Sequence, residues 1–388
     1  MPSMSEVQTD RPESRQRPSI DGAGTAADRA FRGIVSTVDH GVTLLSPQGG
    51  KASRRVLYVN SYGGAAVLEQ IRTGALAPHH LWGCFELVRM GYEVAVAEPL
   101  PDFYLHRNPL PHDLRLVSRV REWLGDDGIV YCGHNVLYWL PFLKALRAVR
   151  SRIVSLLFAR EPLHFARRHD GIIALNPAAA DHARRLAPRA KVAHLGWGVD
   201  LDGYTPVPYE PGSFLSCGVT LRDHATLRDA ADRCGHAIRV ITPGAPPALE
   251  WPRNVTLLSG TGSGPAVPYR TLLDDHYGRC IASLIILKHD AAQYTGIGMT
   301  NLLEAMAMAR PVILTRTGAL PTELDVQAEG CGLWVPPNDA DALAAAMTRL
   351  ASDPTAAEAM GQQGRRLCEQ HYNIVRYARD LHDFFESL

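Results

Sequence analysis

The first residue of chemical interest is a carboxylate set into an apolar helix-forming run. Residues 295–312 read TGIGMTNLLEAMAMARPV, with glycines at 296 and 298 and a single acid, Glu304. A helix that opens after Gly296 and Gly298 points free backbone N–H groups and the positive end of its dipole at an anion, phosphate above all. The glycines let a ligand approach the backbone closely. One turn further, a carboxylate facing the same cleft can accept hydrogen bonds from two neighbouring sugar hydroxyls, as a nucleotide ribose carries. Glu304 reads equally as a solvated first-turn acid supporting the helix dipole.

A second cluster lies in SCGVTLRDHATL, where a β-type run ends at Gly218 and is followed by Arg222, Asp223 and His224. An arginine at a strand–loop–helix junction can hold a diphosphate through charge-assisted bonds. Asp223 fits the helix N-cap. Lys288, directly after CIASLIIL, stands at another strand end and is either a second positive charge or an exposed loop lysine. His134 ends the run YCGH, and a strand-end histidine in a cleft can bind a sugar hydroxyl or carry a proton. With 16 histidines in the chain, position is what singles His134 out. His79 and His80 open a helix-like stretch in the same half. The sequence contains no GxSxG, HExxH or GxxxxGK[ST], nor a strand-linked GxGxxG with a downstream acid, so the hydrolase, metalloprotease, P-loop and dinucleotide classes lack their signatures.

Positioning these residues requires an alternation of strands and helices. Residues 1–30 are polar and rich in Ser, Pro, Arg and Asp, and are expected to be a disordered tail. From Arg54 the runs RRVLYVN, YEVAVAEP, GIVYCGH, RIVSLLFA, DGIIALN and KVAHLGWG read as strands with helical segments between them. A Pro- and Gly-rich stretch at 201–212 reads as a linker. The alternation then restarts with SFLSCGV, AIRVITPG, NVTLLSG, CIASLIIL, PVILTRT and GCGLWVPP. The expected fold is α/β: a Rossmann-like domain over 50–200, a second over 213–365, a cleft between them at the carboxyl ends of the strands, and a helix over 366–388 packing back towards the first domain.

At 388 residues, two domains are the default. Hydrophobic residues make up 46% and charged ones 21%, while Lys+Arg and Asp+Glu both number 40. That balance gives no global attraction to nucleic acid or anionic membrane, although peripheral membrane contact stays open. The seven cysteines are scattered without a CxxC pair and read as reduced thiols. With no apolar run near the length of a span and no signal-peptide core, the expectation is a soluble cytoplasmic protein.

The second half resembles the nucleotide-sugar-binding half of retaining GT-B glycosyltransferases of the large family 4 type (group 1). The residues that carry the resemblance are LLEAMAMARPVILTRTGALPTEL and GCGLWVPPNDADALAAAMTRLASDP, with E-A-M-A, a P-V-I strand and a G-x-P-x-E loop at Gly318 to Glu323. The first half is similar in architecture only. The resemblance implies that Glu304 binds the ribose hydroxyls of a nucleotide-diphosphate sugar, that Arg222 and Lys288 hold the diphosphate, and that Gly218 and the backbone of Gly298, Met299 and Thr300 line the phosphate and sugar. It places Tyr269 near the base and His134 at the transferred sugar. The family often carries E-x7-E, whereas this chain has Gly296 at the first position. In this it is similar to a branch with a G-x-x-x-R-D-[YH] loop.

Transfer with retention is then implied to need no protein nucleophile, metal or cofactor, the nucleotide sugar serving as donor substrate. The acceptor, a small molecule or a glycan of natural-product or cell-surface type, stays open, as do a nucleotide-sugar epimerase and an inactive sugar-nucleotide-binding protein on the same fold. The Ala- and Arg-rich composition points to a bacterial, GC-rich source.

Overall fold

The structure, a computed structural model, describes residues 26–388 apart from 40–41, 51, 61–62, 99–109, 134–135, 161–165, 211, 219, 243, 245–247, 261–266, 290–295 and 318–323. His134 and the 318–323 loop therefore lie outside the described residues.

Two parallel sheets dominate. In the first half, β3 (Arg54–Val59), β4 (Tyr92–Ala97), β5 (Ile129–Gly133), β6 (Arg152–Leu157), β7 (Gly171–Ala174) and β8 (Lys191–His194) pair in parallel, in the order 4-3-5-6-7-8. Most of these strands are buried along nearly their whole length, which explains why they read as continuous apolar runs. In the second half, β9 (Ser213–Cys217), β10 (Ile238–Thr242), β11 (Val255–Ser259), β12 (Cys280–Ile285), β13 (Val312–Thr315) and β14 (Gly332–Val335) form a sheet of order 11-10-9-12-13-14, again parallel throughout. Chain order reverses beside β9 and β12, so the loops after these two strands are the natural place for a ligand. Arg222 and Lys288 stand on them. No described helix is long and apolar enough to cross a membrane.

The N-terminal boundary differs from the sequence expectation. Residues 26–30, read as tail, form the helix Ala26–Ala30, and β1 (Ile34–Asp39) and β2 (Val42–Pro47) make an antiparallel hairpin that extends the first sheet beside β4. Leu45 is fully buried against that sheet, whereas Val35 and Val38 face solvent. One half-apolar edge hairpin carries a weaker signal than the doubly buried strands behind it.

The two halves are tied together by the chain crossing twice. Val199 in the outgoing connection pairs with the returning segment, its N–H donating to Tyr372 O at 2.8 Å while Ile374 N–H donates back to Val199 O at 2.9 Å. Arg376 then holds Leu195 O and Trp197 O at 2.8 and 2.9 Å. The final helix, Ile374–Glu386, belongs to the core of the first half: Tyr377, Leu381, Phe384 and Phe385 pack with Val56, Tyr58 and Tyr131. The Tyr131 and Tyr377 hydroxyls meet at 2.8 Å. The preceding helix, Pro354–His371, packs in the second half, where its Leu367 and Cys368 join the core. The crossing thus falls at Tyr372–Asn373 rather than at 366.

Phe385 is fully buried in that cluster. Phe385→Ala should lower the stability of the first half by about 3 to 5 kcal/mol, read as the loss of unfolding free energy in urea. A loss below about 1 kcal/mol would show that the terminal helix is not part of this core.

Candidate active site

The helix Met299–Ala307 follows two left-handed glycines, Gly296 at φ +90° and Gly298 at φ +88°. Gly298 is its N-cap and no side chain caps it, so the helix start faces the cleft through its backbone. Met299 N–H turns back to Gly296 O at 3.3 Å. Thr300 lines the space between the halves. Gly296, where an acid is expected by the E-x7-E pattern, also has a steric reason to be glycine: a Cβ there would sit 3.3 Å from the Trp197 ring. The left-handed backbone strains any other residue there, and its Cβ would press on the indole.

Glu304 is the sixth residue of this helix and only 4% exposed. The reading of a solvated first-turn acid is therefore corrected: Glu304 sits in the second turn and inside the protein. Three tyrosine hydroxyls donate to it. Tyr204 and Tyr269 both reach Oε1 at 3.3 Å, and Tyr277 reaches Oε2 at 3.1 Å. The Tyr204 and Tyr269 hydroxyls also touch each other. Burial raises the carboxyl pKa to about 7, and the tyrosine hydrogen bonds oppose that rise. Tyr269 thus stands on the carboxylate itself, at the start of a helical turn, Tyr269–Thr271, that runs into a π-helix over Leu272–Tyr277.

From Glu304 the polar contacts run on to Arg222. Asn301, one turn before Glu304, donates to the Tyr277 hydroxyl at 3.2 Å, and its Oδ1 accepts from Arg222 Nη2. Arg222 is 5% exposed and also donates to Cys217 O, at 3.1 Å from Nη2, and to Thr220 O, at 3.2 Å from Nη1. Asp223 caps the next helix, its Oδ1 accepting from Thr226 N–H at 3.0 Å. Lys288 is exposed on the neighbouring loop, and its N–H donates to Leu221 O at 2.9 Å. Burial first, then the charges of Arg222 and Lys288, hold the His224 pKa down. Arg222 and Lys288 therefore form a basic corner beside a neutral His224. Gly218 is required beside it: its φ is +107°, and a Cβ would fall 2.6 Å from Arg222 Nη2 and 2.9 Å from Asn301 Oδ1.

The structure thus brings Glu304, Tyr269, Arg222, Gly218 and Lys288 into one region, together with the helix start at Gly298, Met299 and Thr300. Sequence reasoning missed Tyr204, Tyr277 and Asn301. Asn301 lies three residues before Glu304, on the same helical face, and could have been found by that spacing. Tyr204 could not, because it comes from the segment read as a plain linker.

The comparisons bear on the same region. Residues 271–353 match the family model described as Glycosyl transferases group 1, a span that includes the Glu304 helix. No curated protein matches the chain. Among solved structures, sucrose-phosphate synthase from Thermosynechococcus elongatus is similar with a TM-score of 0.62 and 16% identity, covering 86% of this chain and 99% of that one. An α,α-trehalose-phosphate synthase (UDP-forming) from Burkholderia vietnamiensis gives 0.61 and 13%, covering 86% and 99%. HepE from Anabaena in complex with UDP gives 0.57 and 14%, covering 86% and 100%. These likenesses establish the fold as the GT-B arrangement of two facing Rossmann-like halves.

Two measurements check this geometry. A carboxyl group with an ordinary pKa of 4.5 that is raised to about 7 by folding contributes fully to stability below 4.5, and that contribution is lost as pH rises through 7. Glu304→Gln should therefore remove about 2 to 3 kcal/mol of the stability lost between pH 5 and pH 9; equal pH slopes in urea unfolding for parent and variant would contradict the buried carboxyl. Gly218→Ala should cost at least about 1 kcal/mol and displace Arg222, seen as a lower melting temperature.

Proposed function

We propose that this chain is a glycosyltransferase that moves a sugar from a nucleoside-diphosphate sugar to an acceptor hydroxyl with retention of configuration. The observation that carries the reading is the continuous polar path from Glu304 through Tyr277 and Asn301 to Arg222, built on the helix that opens at Gly298. Its two ends suit the two polar parts of one nucleotide. A ribose diol is held by the Glu304 carboxylate, taking the place of the Tyr269 hydroxyl at Oε1. The diphosphate lies against the helix start, with Arg222 and Lys288 offsetting its charge.

Uridine is the proposed base, supported by similar folds solved with UDP or described as UDP-forming. The protein's chemical work on this reading is placement and stabilisation of the leaving diphosphate. Lys288, Arg222 and the free N–H groups of the helix start act where negative charge develops. No side chain is asked to form a covalent intermediate, and no metal is assigned. His134 is proposed to contact the transferred sugar.

UDP should raise the melting temperature of the parent protein, and UDP release from UDP-glucose or another UDP-sugar should depend on an acceptor. Glu304→Ala removes one buried acceptor of two hydroxyl bonds and should weaken UDP binding by about 2 kcal/mol, roughly thirtyfold. Turnover should fall by at least the same factor in Glu304→Ala and Arg222→Ala, with far-UV circular dichroism unchanged. Near-parental turnover in either folded variant would overturn the assignment, and conversion of the donor to an epimer without acceptor would overturn the reaction type.

A further inference from the structure

Beside Thr300, between the two halves, lies a cavity of about 220 Å³ that the path from Glu304 to Arg222 does not use. Three aromatic rings wall it. Trp82 meets Phe158 edge-on at 5.2 Å between centroids and Trp197 at 5.0 Å. Its polar side chains among the described residues are His79, His80 and Thr300.

The tautomers of the two histidines follow from their partners. Asp200 N–H donates to His79 Nδ1 at 3.2 Å, so the His79 proton is on Nε2, which donates. His80 Nδ1 lies 3.2 Å from Ala77 O, which can only accept, so His80 Nδ1 carries a proton. Burial lowers both pKa values, that of His80 to about 4, and both rings are neutral at physiological pH. Trp197 Nε1 is a buried N–H without an acceptor among the described residues, which an oxygen atom would satisfy. The described lining therefore offers donors and ring faces, and no formal charge.

Resting on the glycosyl-transfer reading above, we propose that this cavity is the acceptor site and that it takes an uncharged aromatic or alicyclic alcohol, its ring against Trp82, Phe158 and Trp197 and its hydroxyl beside His79. A charged acceptor entering here would give up its hydration with no counter-charge to replace it. A ring gains edge and face contacts with three aromatic side chains. The volume admits a single ring, since an apolar protein cavity of roughly 150 Å³ holds benzene. Thr300 links the cavity to the helix start that faces the donor, so a hydroxyl held beside His79 stands next to the sugar being transferred.

Trp82 and Trp197 make tryptophan emission a direct readout. Benzyl alcohol and 4-(hydroxymethyl)benzoate are single-ring alcohols that differ in one charge and would be titrated against the intact protein, with UDP binding followed separately by thermal shift. The expected result is a change in emission with benzyl alcohol, at least fivefold tighter binding than the carboxylated compound, and a loss of about tenfold in Phe158→Ala or Trp197→Phe with the UDP shift retained. Equal or tighter binding of the carboxylated compound, binding of neither compound, or parental affinity in both folded variants would overturn the proposal. A protein that binds benzyl alcohol without any shift from UDP would keep the neutral cavity but overturn its role as the acceptor site, which separates failure of the donor reading from failure of this one.

Discussion

A carboxylate held inside the protein by three tyrosine hydroxyls organises the second half of this molecule. Glu304 gives up water on burial, and Tyr204, Tyr269 and Tyr277 replace it with directed donors. The three tyrosines arrive from different places: Tyr204 from the connection between the halves, Tyr269 and Tyr277 from the two ends of one distorted helical segment before β12. Satisfying one acid therefore fixes the linker, that segment and the Met299–Ala307 helix relative to each other. Asn301 extends the same constraint to Arg222 at the end of β9.

The coupling between the halves has a comparable economy. Trp197 lies in the outgoing connection, and Arg376 in the returning helix grips its carbonyl. The indole packs against Gly296 and against Trp82 in the first half. A glycine in left-handed conformation at 296 is thus set by two demands at once, the turn into the Glu304 helix and the room needed by Trp197.

Much of the architecture was legible in the sequence, because parallel strands buried on both faces leave uninterrupted apolar runs such as RIVSLL and CIASLI. The hairpin over 34–47 escaped, since it lies at a sheet edge with Val35 and Val38 in solvent. Glu304 and Arg222 could be singled out by type and by position at element ends. Their burial could not, because it depends on tyrosines 27 to 100 residues away in sequence. Periodicity shows that Glu304 shares a face with Asn301, but not what tertiary packing lays over that face. The neutral state of His79 and His80 is hidden for the same reason: it follows from their burial by residues distant in sequence.

The central claim is that the Glu304 carboxylate receives the ribose of a nucleotide, and a double comparison of ligand and side chain tests it most directly. Calorimetric affinities for UDP and for its 2′,3′-dideoxy analogue would be measured with the parent protein and with Glu304→Gln. The parent should bind UDP at least tenfold more tightly than the dideoxy analogue, and the variant should lose most of that discrimination while still binding both through the basic corner. The same discrimination in parent and variant would contradict the account, because the ribose hydroxyls would then be read by some other group.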